Sequence, residues 1–511
     1  MPESESVDQL LRGFSPPPLG WDAFLPILPA AIVIVAGIFA LGCEMVQRKR
    51  SNTGALVCAI AGVLFAGWAL AAQYYEPSVE VFAGTTVRDH LGIVLQALIL
   101  GSTFLAFLFS EHYMLEKRIA YGEFYALALW AAAGAMIMVS TTNLLMLFLG
   151  LEVLSISLYV LAGLSRSEAK SEESALKYLL LGAFASAFLL YGTAFFYGAT
   201  GGLKLSGIAE SYSLLDTAMR GLLVFGLAMA VIGLAFKSAL VPFHQWTPDV
   251  YQGAPTNVTA FMAAVSKIAA IGALLRILDA CLPFRDVWLP SLFWIAVLTM
   301  TVGNVSALVQ RDVKRLLAYS SIAHAGYILV ALLAHAKKPE SIGYGSTAFY
   351  LLAYCVMTVG AFAVVSLVAK GGREGTRVSD LNGLWRRSPW LAIALVLFMA
   401  SLIGVPGTAG FVGKLQIFVD SVDAGLVSLA ILLAVNSLLS IAYYLRVAMA
   451  AFVSEDFDES APVAPVRPGL ALATGLCAIG VIGVFLFASP VMNLVRDAPA
   501  SKTFSAMRAP E

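Results

Sequence analysis

Charge is scarce in this chain. Only 13% of its 511 residues are Asp, Glu, Lys or Arg, about half the roughly 25% usual in a soluble domain. With 59% hydrophobic residues, so little charge cannot wet the surface of a large soluble globule, and that class is excluded. The net charge is zero, which speaks against nucleic acid as a partner and against attachment to anionic lipid by bulk charge. Cysteine is sparse too: Cys43, Cys58, Cys281, Cys355 and Cys477 are scattered, with no C-x-x-C pair. That pattern argues against a zinc site, an iron–sulfur site or a disulfide framework, and each thiol reads as a small buried hydrophobe. No G-x-G-x-x-G opens a helix and no P-loop is present, so neither nucleotide motif is found in this chain. The polar start MPESESVDQLLRGFSPPPLGW lacks the basic flank and prompt apolar run of a signal peptide. The first apolar run therefore reads as a retained transmembrane helix.

What the chain does have is apolar length. A helix needs about 20 apolar residues to cross the hydrocarbon layer, and that window predicts about 14 spans. They lie near 24–46, 54–73, 90–110, 122–140, 142–164, 174–199, 219–246, 254–278, 288–309, 316–336, 344–369, 388–420, 424–453 and 468–490. The connections are short, so the expected fold is an all-α polytopic membrane protein with a single integral membrane domain over 1–511. The basic loops QRKRSN, EKRIAYGE, LSRSEAK, QRDVKR and KGGREGTRVSDLNGLWRRSP fall on one side. By the positive-inside rule that side is cytoplasmic, which puts both termini outside.

Against this background four lysines stand out: Lys177, Lys237, Lys267 and Lys414 lie within or at the edge of apolar runs. A charge at mid-depth costs at least about 2.5–3.5 kcal/mol and normally marks an ion path. Lys237 precedes a proline-rich interruption (Pro242, Pro248, Gly253, Pro255), and Lys414 follows a glycine-rich one (Gly404, Pro406, Gly407, Gly410, Gly413). A broken helix is tolerated in a membrane only where protein or a watery cavity covers the freed backbone, as at the midplane sites of transporters. Lys267, flanked by a long apolar stretch on each side, cannot easily snorkel to an interface. Lys177, near the start of its span, can, and both readings stay open. Arg276 and Arg446, near span ends, read as snorkelling residues.

Glu152 is the sole ionisable side chain of its span. It is either a neutral acid locking two helices or the carboxylate partner of a lysine on a neighbouring helix, which would tune that lysine's proton affinity. His324 lies well inside its span, with Tyr319, Ser320 and Ser321 one turn earlier. It suits a proton shuttle between lysines, or a structural hydrogen bond. His244 and Asp249 fall in the break after Lys237, in a vestibule or as loop ties.

Three segments, ESALKYLLLGAFASAFLLYG, FKSALVPFHQWTPDVYQGAPTNVTAF and LLAYSSIAHAGYILVAL, resemble the antiporter-like membrane subunits of respiratory complex I, the proton-pumping NADH:quinone oxidoreductase. The DVYQGAPT form and a lysine at 414 resemble the N type within that family, and the likeness spans residues 24–490. The stretch after residue 490 is short, unlike the long lateral helix of the L type. The resemblance implies 14 helices in two inverted five-helix repeats, over 122–278 and 288–453, with helices seven and twelve broken. It implies a relay through Glu152, Lys237, Lys267, His324 and Lys414, with Lys177 at a further family position. It also implies that NADH, FMN, iron–sulfur clusters and quinone are handled by partner subunits, that K- and M-type subunits are the neighbours, and that the membrane is the bacterial plasma membrane. The rival expectations are a Mrp-type cation/proton antiporter subunit, the equivalent subunit of a membrane-bound hydrogenase or plastoquinone-reducing complex, and a structural subunit whose buried charges only join helices.

Overall fold

In the computed structural model, the residues described are 23–46, 52–117, 121–166, 168–367, 373–453 and 468–496, with a few isolated positions besides. The polar start, most of QRKRSN, most of the loop SEDFDESAPVAPVRPG and the tail after Arg496 lie outside them. Among the described residues, 12 helices are long and apolar enough to cross a membrane, and two shorter apolar helices, Glu123–Val139 and Pro389–Ile403, complete the set. In chain order these are α1 (Leu28–Val46), α2 (Thr53–Ala71), α3 (His90–Glu116), α4 (Glu123–Val139), α5 (Leu144–Ala162), α6 (Ala169–Thr200) and α7a (Thr217–Ser238). There follow α7b (Trp246–Gly253), α8 (Thr256–Ala280), α9 (Arg285–Leu308), α10 (Val313–Lys337), α11 (Gly345–Ser366), α12a (Pro389–Ile403), α12b (Ala409–Asp423), α13 (Val427–Ala450), α14 (Pro468–Leu486) and the short α15 (Ala488–Arg496). Each of the 14 expected spans has its helix. Two of them are split: the span at 219–246 leaves the helix after Ser238, and that at 388–420 is two helices around Gly404–Thr408.

Helix α8 is the axis of the bundle. All its residues except Asp279 are buried, and it packs against α3, α4, α5, α7a, α10 and α11. A helix apolar all round belongs in such a place. Lipid tails are as apolar as leucine, so burial in a membrane gains little by transfer, and close van der Waals contact decides the packing. Small residues supply it. Where α6 meets α7a, a Cβ at Gly192 would stand 2.7 Å from Gly226 O, and one at Gly226 would stand 3.1 Å from Gly192 O, so any side chain there would force the helices apart.

Both breaks are covered by protein. At the end of α7a, Ala239 adopts φ 62° and Leu240 N donates to Ala235 O at 2.8 Å. Trp246 Nε1 donates to Phe236 O at 2.8 Å, and Thr299 Oγ1 of α9 accepts from Val241 N at 3.0 Å. The Val241–Pro242 peptide is cis. In the second break Gly404 takes φ 89°, a left-handed value that suits glycine, and Val405 N donates to Ala400 O at 2.9 Å.

Arg276 is not a snorkelling residue. It is 2% exposed, and its Nη1 and Nη2 donate to Asp89 Oδ2 and Oδ1 at 2.8 and 2.7 Å while Nε donates to Val139 O at 2.8 Å. Asp89 caps α3 through Gly92 N at 2.7 Å, so the end of α8 is pinned to the start of α3 and the end of α4. Arg446, by contrast, reaches the frayed end of α9, donating to Leu308 O at 3.0 Å and Gln310 O at 2.6 Å from an exposed position. The cysteines also depart from the sequence reading: Cys43 on α1 and Cys58 on α2 are only half-buried, with their Sγ atoms 3.5 Å apart, because antiparallel α1 and α2 bring the two positions level.

Candidate functional site: a buried lysine and tyrosine relay

The first group forms where α5, α6 and α7a meet. Lys237, 4% exposed in the last turn of α7a, donates to Ser155 Oγ at 2.8 Å and Tyr178 Oη at 3.2 Å. Its Nζ also lies 5.1 Å from the centre of the Tyr178 ring and 5.8 Å from that of Tyr159, within cation–π range. Glu152, Ser155 and Tyr159 occupy positions i, i+3 and i+7 of α5, one stripe of the helix. Glu152 is within Coulomb range of Lys237, yet among the described residues its buried Oε1 has no hydrogen-bond partner. The structure thus brings the two residues together without pairing them. Tyr178 stacks on Trp246 of α7b at 4.5 Å and 8°, which couples the lysine's cradle to the break.

The second group centres on α10. Lys267, 3% exposed on α8, donates to Ser321 O at 2.6 Å and lies 5.3 Å from the Tyr354 ring centre. Tyr354 Oη donates to Ser321 Oγ at 2.8 Å. One turn on, His324 places Nδ1 2.7 Å from Tyr350 Oη and Nε2 3.0 Å from Tyr444 Oη. Tyr444 is also hydrogen-bonded to Ser320. Another turn on, Tyr327 carries Lys414 Nζ 5.1 Å from its ring centre. Positions 320, 321, 324 and 327 of α10 therefore form one continuous polar stripe from Lys267 to Lys414.

Lys414 closes the second break. Its Nζ donates to Leu402 O at 2.9 Å, Ile403 O at 2.8 Å and Ser437 Oγ at 2.9 Å. The first two are carbonyls left over at the end of α12a, where a cation is also favoured by the helix dipole. Behind it, Asn304 Nδ2 donates to Tyr327 Oη at 2.9 Å and Asn436 Oδ1 at 3.2 Å, while Tyr443 Oη donates to Asn304 Oδ1 at 2.9 Å. Among the described residues, Lys237, Lys267 and Lys414 make no salt bridge.

Lys177 stands apart. Its side chain is 42% exposed and pairs with Glu173 at 2.7 Å and Asp249 at 2.8 Å. Asp249, in the short helix between the spans α7a and α8, also takes Arg315 Nη1 at 2.6 Å. Burial raises the Asp249 carboxyl, but the hydrogen bonds from Lys177 and Arg315 outweigh it and hold the group below the usual carboxylate range. Lys177, Glu173 and Asp249, with Lys170, Ser174, Gln252 and Gly253, line a polar cleft of about 120 Å³. His244 lies in the break itself, with Nδ1 buried. Lys314, which reads as part of a basic loop, is fully buried and donates to Ala254 O at 2.6 Å, at the end of α7b.

Residues 141–440 match the family model described as NADH:quinone oxidoreductase/Mrp antiporter, TM. The chain belongs to this family. A relative from Trichlorobacter lovleyi named NADH-quinone oxidoreductase subunit N is 41% identical over 92% of this chain and 97% of its own length. Within the family, the chain is therefore of the N type. Among solved structures, a chain of Thermus thermophilus respiratory complex I with bound aureothin matches at 34% identity and TM-score 0.76, covering 91% of this chain and 98% of that one. A chain of a Mrp complex from Dietzia sp. matches with TM-score 0.80 at 21% identity, covering 96% and 98%. That likeness is one of fold.

The tyrosine hydroxyls around His324, the Ser155 anchor and buried Lys314 were missed in the sequence. Tyr178, one residue after Lys177, and Tyr327, three after His324, could have been found from their spacing to the ionisable residues. Tyr350, Tyr444 and Ser437 come from distant helices and left no local signal.

Proposed function

We propose that this chain translocates protons across a membrane as one subunit of an NADH:quinone oxidoreductase. The observation that carries this reading is that Lys237, Lys267 and Lys414 are buried but held only by neutral oxygens and tyrosine faces. A lysine paired to a carboxylate is fixed in its charge, and losing the proton strands a buried anion. A lysine among hydroxyls and carbonyls can lose and regain its proton without that penalty. Here the Ser155, Tyr178 and Ser437 hydroxyls can turn to donate or accept, while the carbonyls of Ser321, Leu402 and Ile403 only accept.

In this reading the relay runs from Lys237, under the field of Glu152, to Lys267, then along the α10 stripe through His324 to Lys414. Lys177 and Asp249 lie on the uptake side, at the face where α6 and α10 begin. A redox reaction in partner subunits, which handle NADH, FMN, iron–sulfur clusters and quinone, changes the Glu152–Lys237 interaction and drives the proton forward. K- and M-type subunits flank the chain in the bacterial plasma membrane, with both termini outside, and the halves 122–278 and 288–453 act as two repeats of one device.

The test is proton pumping by reconstituted parent complex carrying Lys237→Ala, with assembly checked on a native gel. Assembled complex in which pumping and quinone-linked NADH oxidation fall together supports the relay. Wild-type values of both overturn it, and lost assembly at every conservative variant of Lys237 supports a purely structural lysine.

A further inference from the structure

Two carboxylates are buried among the described residues, Asp89 and Asp420. Asp89 is neutralised by the bidentate Arg276 contact. Asp420 is 5% exposed on α12b and has no cation in ion-pair reach among the described residues. Its Oδ1 accepts from Gln416 Nε2 at 2.9 Å, and its Oδ2 is hydrogen-bonded to Ser346 Oγ of α11. The half-buried Glu80 and Asp249 of the helix connections also have lysine or arginine partners. A buried carboxylate served by a hydroxyl and an amide alone is an expensive way to join two helices, and in a membrane an ionisable group of this kind points to ion movement.

Its place in the fold supplies the second observation. Ser346 is the second residue of α11, and Asp420 lies three residues before the end of α12b, so the pair sits near one face of the bundle. Helix α10 runs from the Arg315–Asp249 contact at one face to Lys337 at the other, and α11 starts back from there. Asp420 is therefore at the face opposite the Lys177–Asp249 cleft. Inward from it, Ser346 and Tyr350 are at i and i+4 on α11, one turn apart, and Tyr350 Oη is 2.7 Å from His324 Nδ1. On α12b, Gly413, Gln416 and Asp420 share one face at i, i+3 and i+7. Gly413 lets that face close on Tyr350, because a Cβ there would lie 2.7 Å from Tyr350 Cδ2. Lys414 faces elsewhere, toward Ser437 and Tyr327. His324 thus faces two ways: Tyr444 and, one turn on along α10, Tyr327 lie on its Lys414 side, and Tyr350, with Ser346 one turn before it on α11, lies on its Asp420 side.

We infer that Asp420 accepts the proton that leaves the buried relay and hands it to water at the membrane face where α11 begins and α12b ends, with Ser346 and Gln416 as positioning residues. The inference rests on the proton-translocating reading above. The step moves a proton and no electrons: an N–H bond on His324 breaks as the Tyr350 hydroxyl takes that proton and gives up its own, water carries it along the turn of α11 between Tyr350 and Ser346, and an O–H bond forms on Asp420 before release.

The experiment uses assembled parent complex in vesicles, with Asp420→Asn, Asp420→Glu, Ser346→Ala and Lys414→Ala compared for proton uptake and for quinone reduction. Asn keeps the acceptor toward Ser346 but cannot carry the proton, so Asp420→Asn should slow both by about tenfold or more, and Asp420→Glu should restore most of the rate. Ser346→Ala should give a smaller fall of the same kind. If Asp420→Asn pumps and turns over at the wild-type rate while Lys414→Ala is defective, the outlet proposal is wrong and the relay stands. If both variants are silent, the relay reading itself is wrong. Should Asp420→Asn fail to assemble, wild-type rates in Ser346→Ala, which leaves the carboxylate in place but removes the hydroxyl that holds it on the Tyr350 side, would overturn the proposal.

Discussion

Lys237 and Glu152 are neighbours that do not touch. Ser155, one turn along α5 from the glutamate, accepts from the ammonium at 2.8 Å, and Glu152 Oε1 is left without a hydrogen bond among the described residues. The serine acts as a spacer. It keeps the charges within Coulomb range while denying them a contact that would fix both.

Removing the spacer should therefore harm transfer by strengthening an interaction. In Ser155→Ala, Lys237 keeps only Tyr178 and moves onto Glu152. Coupled turnover is expected to fall roughly three- to tenfold, with a stability loss of about 1–3 kcal/mol at most from the lost hydroxyl. Pumping assays alongside thermal unfolding of the assembled complex check this. Turnover at the wild-type rate would mean that the serine is not a spacer.

Lys414 has two jobs that different substitutions separate. Lys414→Ala strands Leu402 O at the end of α12a, at a cost of about 1–3 kcal/mol, while Ile403 O keeps Ser437 Oγ at 3.2 Å, so the complex should melt earlier and stop pumping. Lys414→Arg keeps donors for the carbonyls, but its guanidinium stays charged. The melting temperature should recover while pumping stays low. Recovery of both in the arginine variant would show that Lys414 never gives up its proton.

The Arg276–Asp89 pair should matter for folding and not for transfer. Truncating either partner leaves a buried charge, a loss of about 3–5 kcal/mol. The paired replacement Arg276→Met with Asp89→Leu should recover most of it, apart from the cap at Gly92 N. A double-mutant cycle on thermal stability is the measurement. Unchanged proton-to-quinone stoichiometry in whatever complex survives is the companion expectation.

Asp249 gives a pH dependence with a definite sign. Its carboxyl is depressed below its unfolded value by Lys177 and Arg315. The stabilisation is therefore fully present above the unfolded pKa, about 3.9, and is lost as pH falls through the folded value below it. Wild type should lose stability below about pH 4 faster than Asp249→Asn, which has no charge to lose. Melting curves across that acid window decide it, and parallel curves would show that the contact contributes nothing.

The fold was largely legible because its signals are local. Each apolar run of about 20 residues became a helix, and the prolines and glycines around 242–255 and 404–413 marked both breaks. Lys237, Lys267 and Lys414 were visible because no other charged residue lies within five positions of them. What escaped the sequence is relational. Lys314 sits in a basic run, yet α10 starts three residues earlier than expected and carries it under Ala254. Arg276 looked like a residue reaching for the interface because Asp89, 187 positions away, has no visible tie to it. Asp420 lies at the edge of its predicted span, and only the packing of α11 on α12b shows it to be buried.

The run of hydroxyls around His324 has a further consequence. Tyr350, Tyr444 and Ser320 can each turn to give or to receive, so the chain they form with His324 carries no arrow. A wire of this kind conducts equally well both ways, and left alone it would let the membrane's stored gradient run back through it. Whatever rectifies the current must sit at the terminals, in the charges that decide when each end is open.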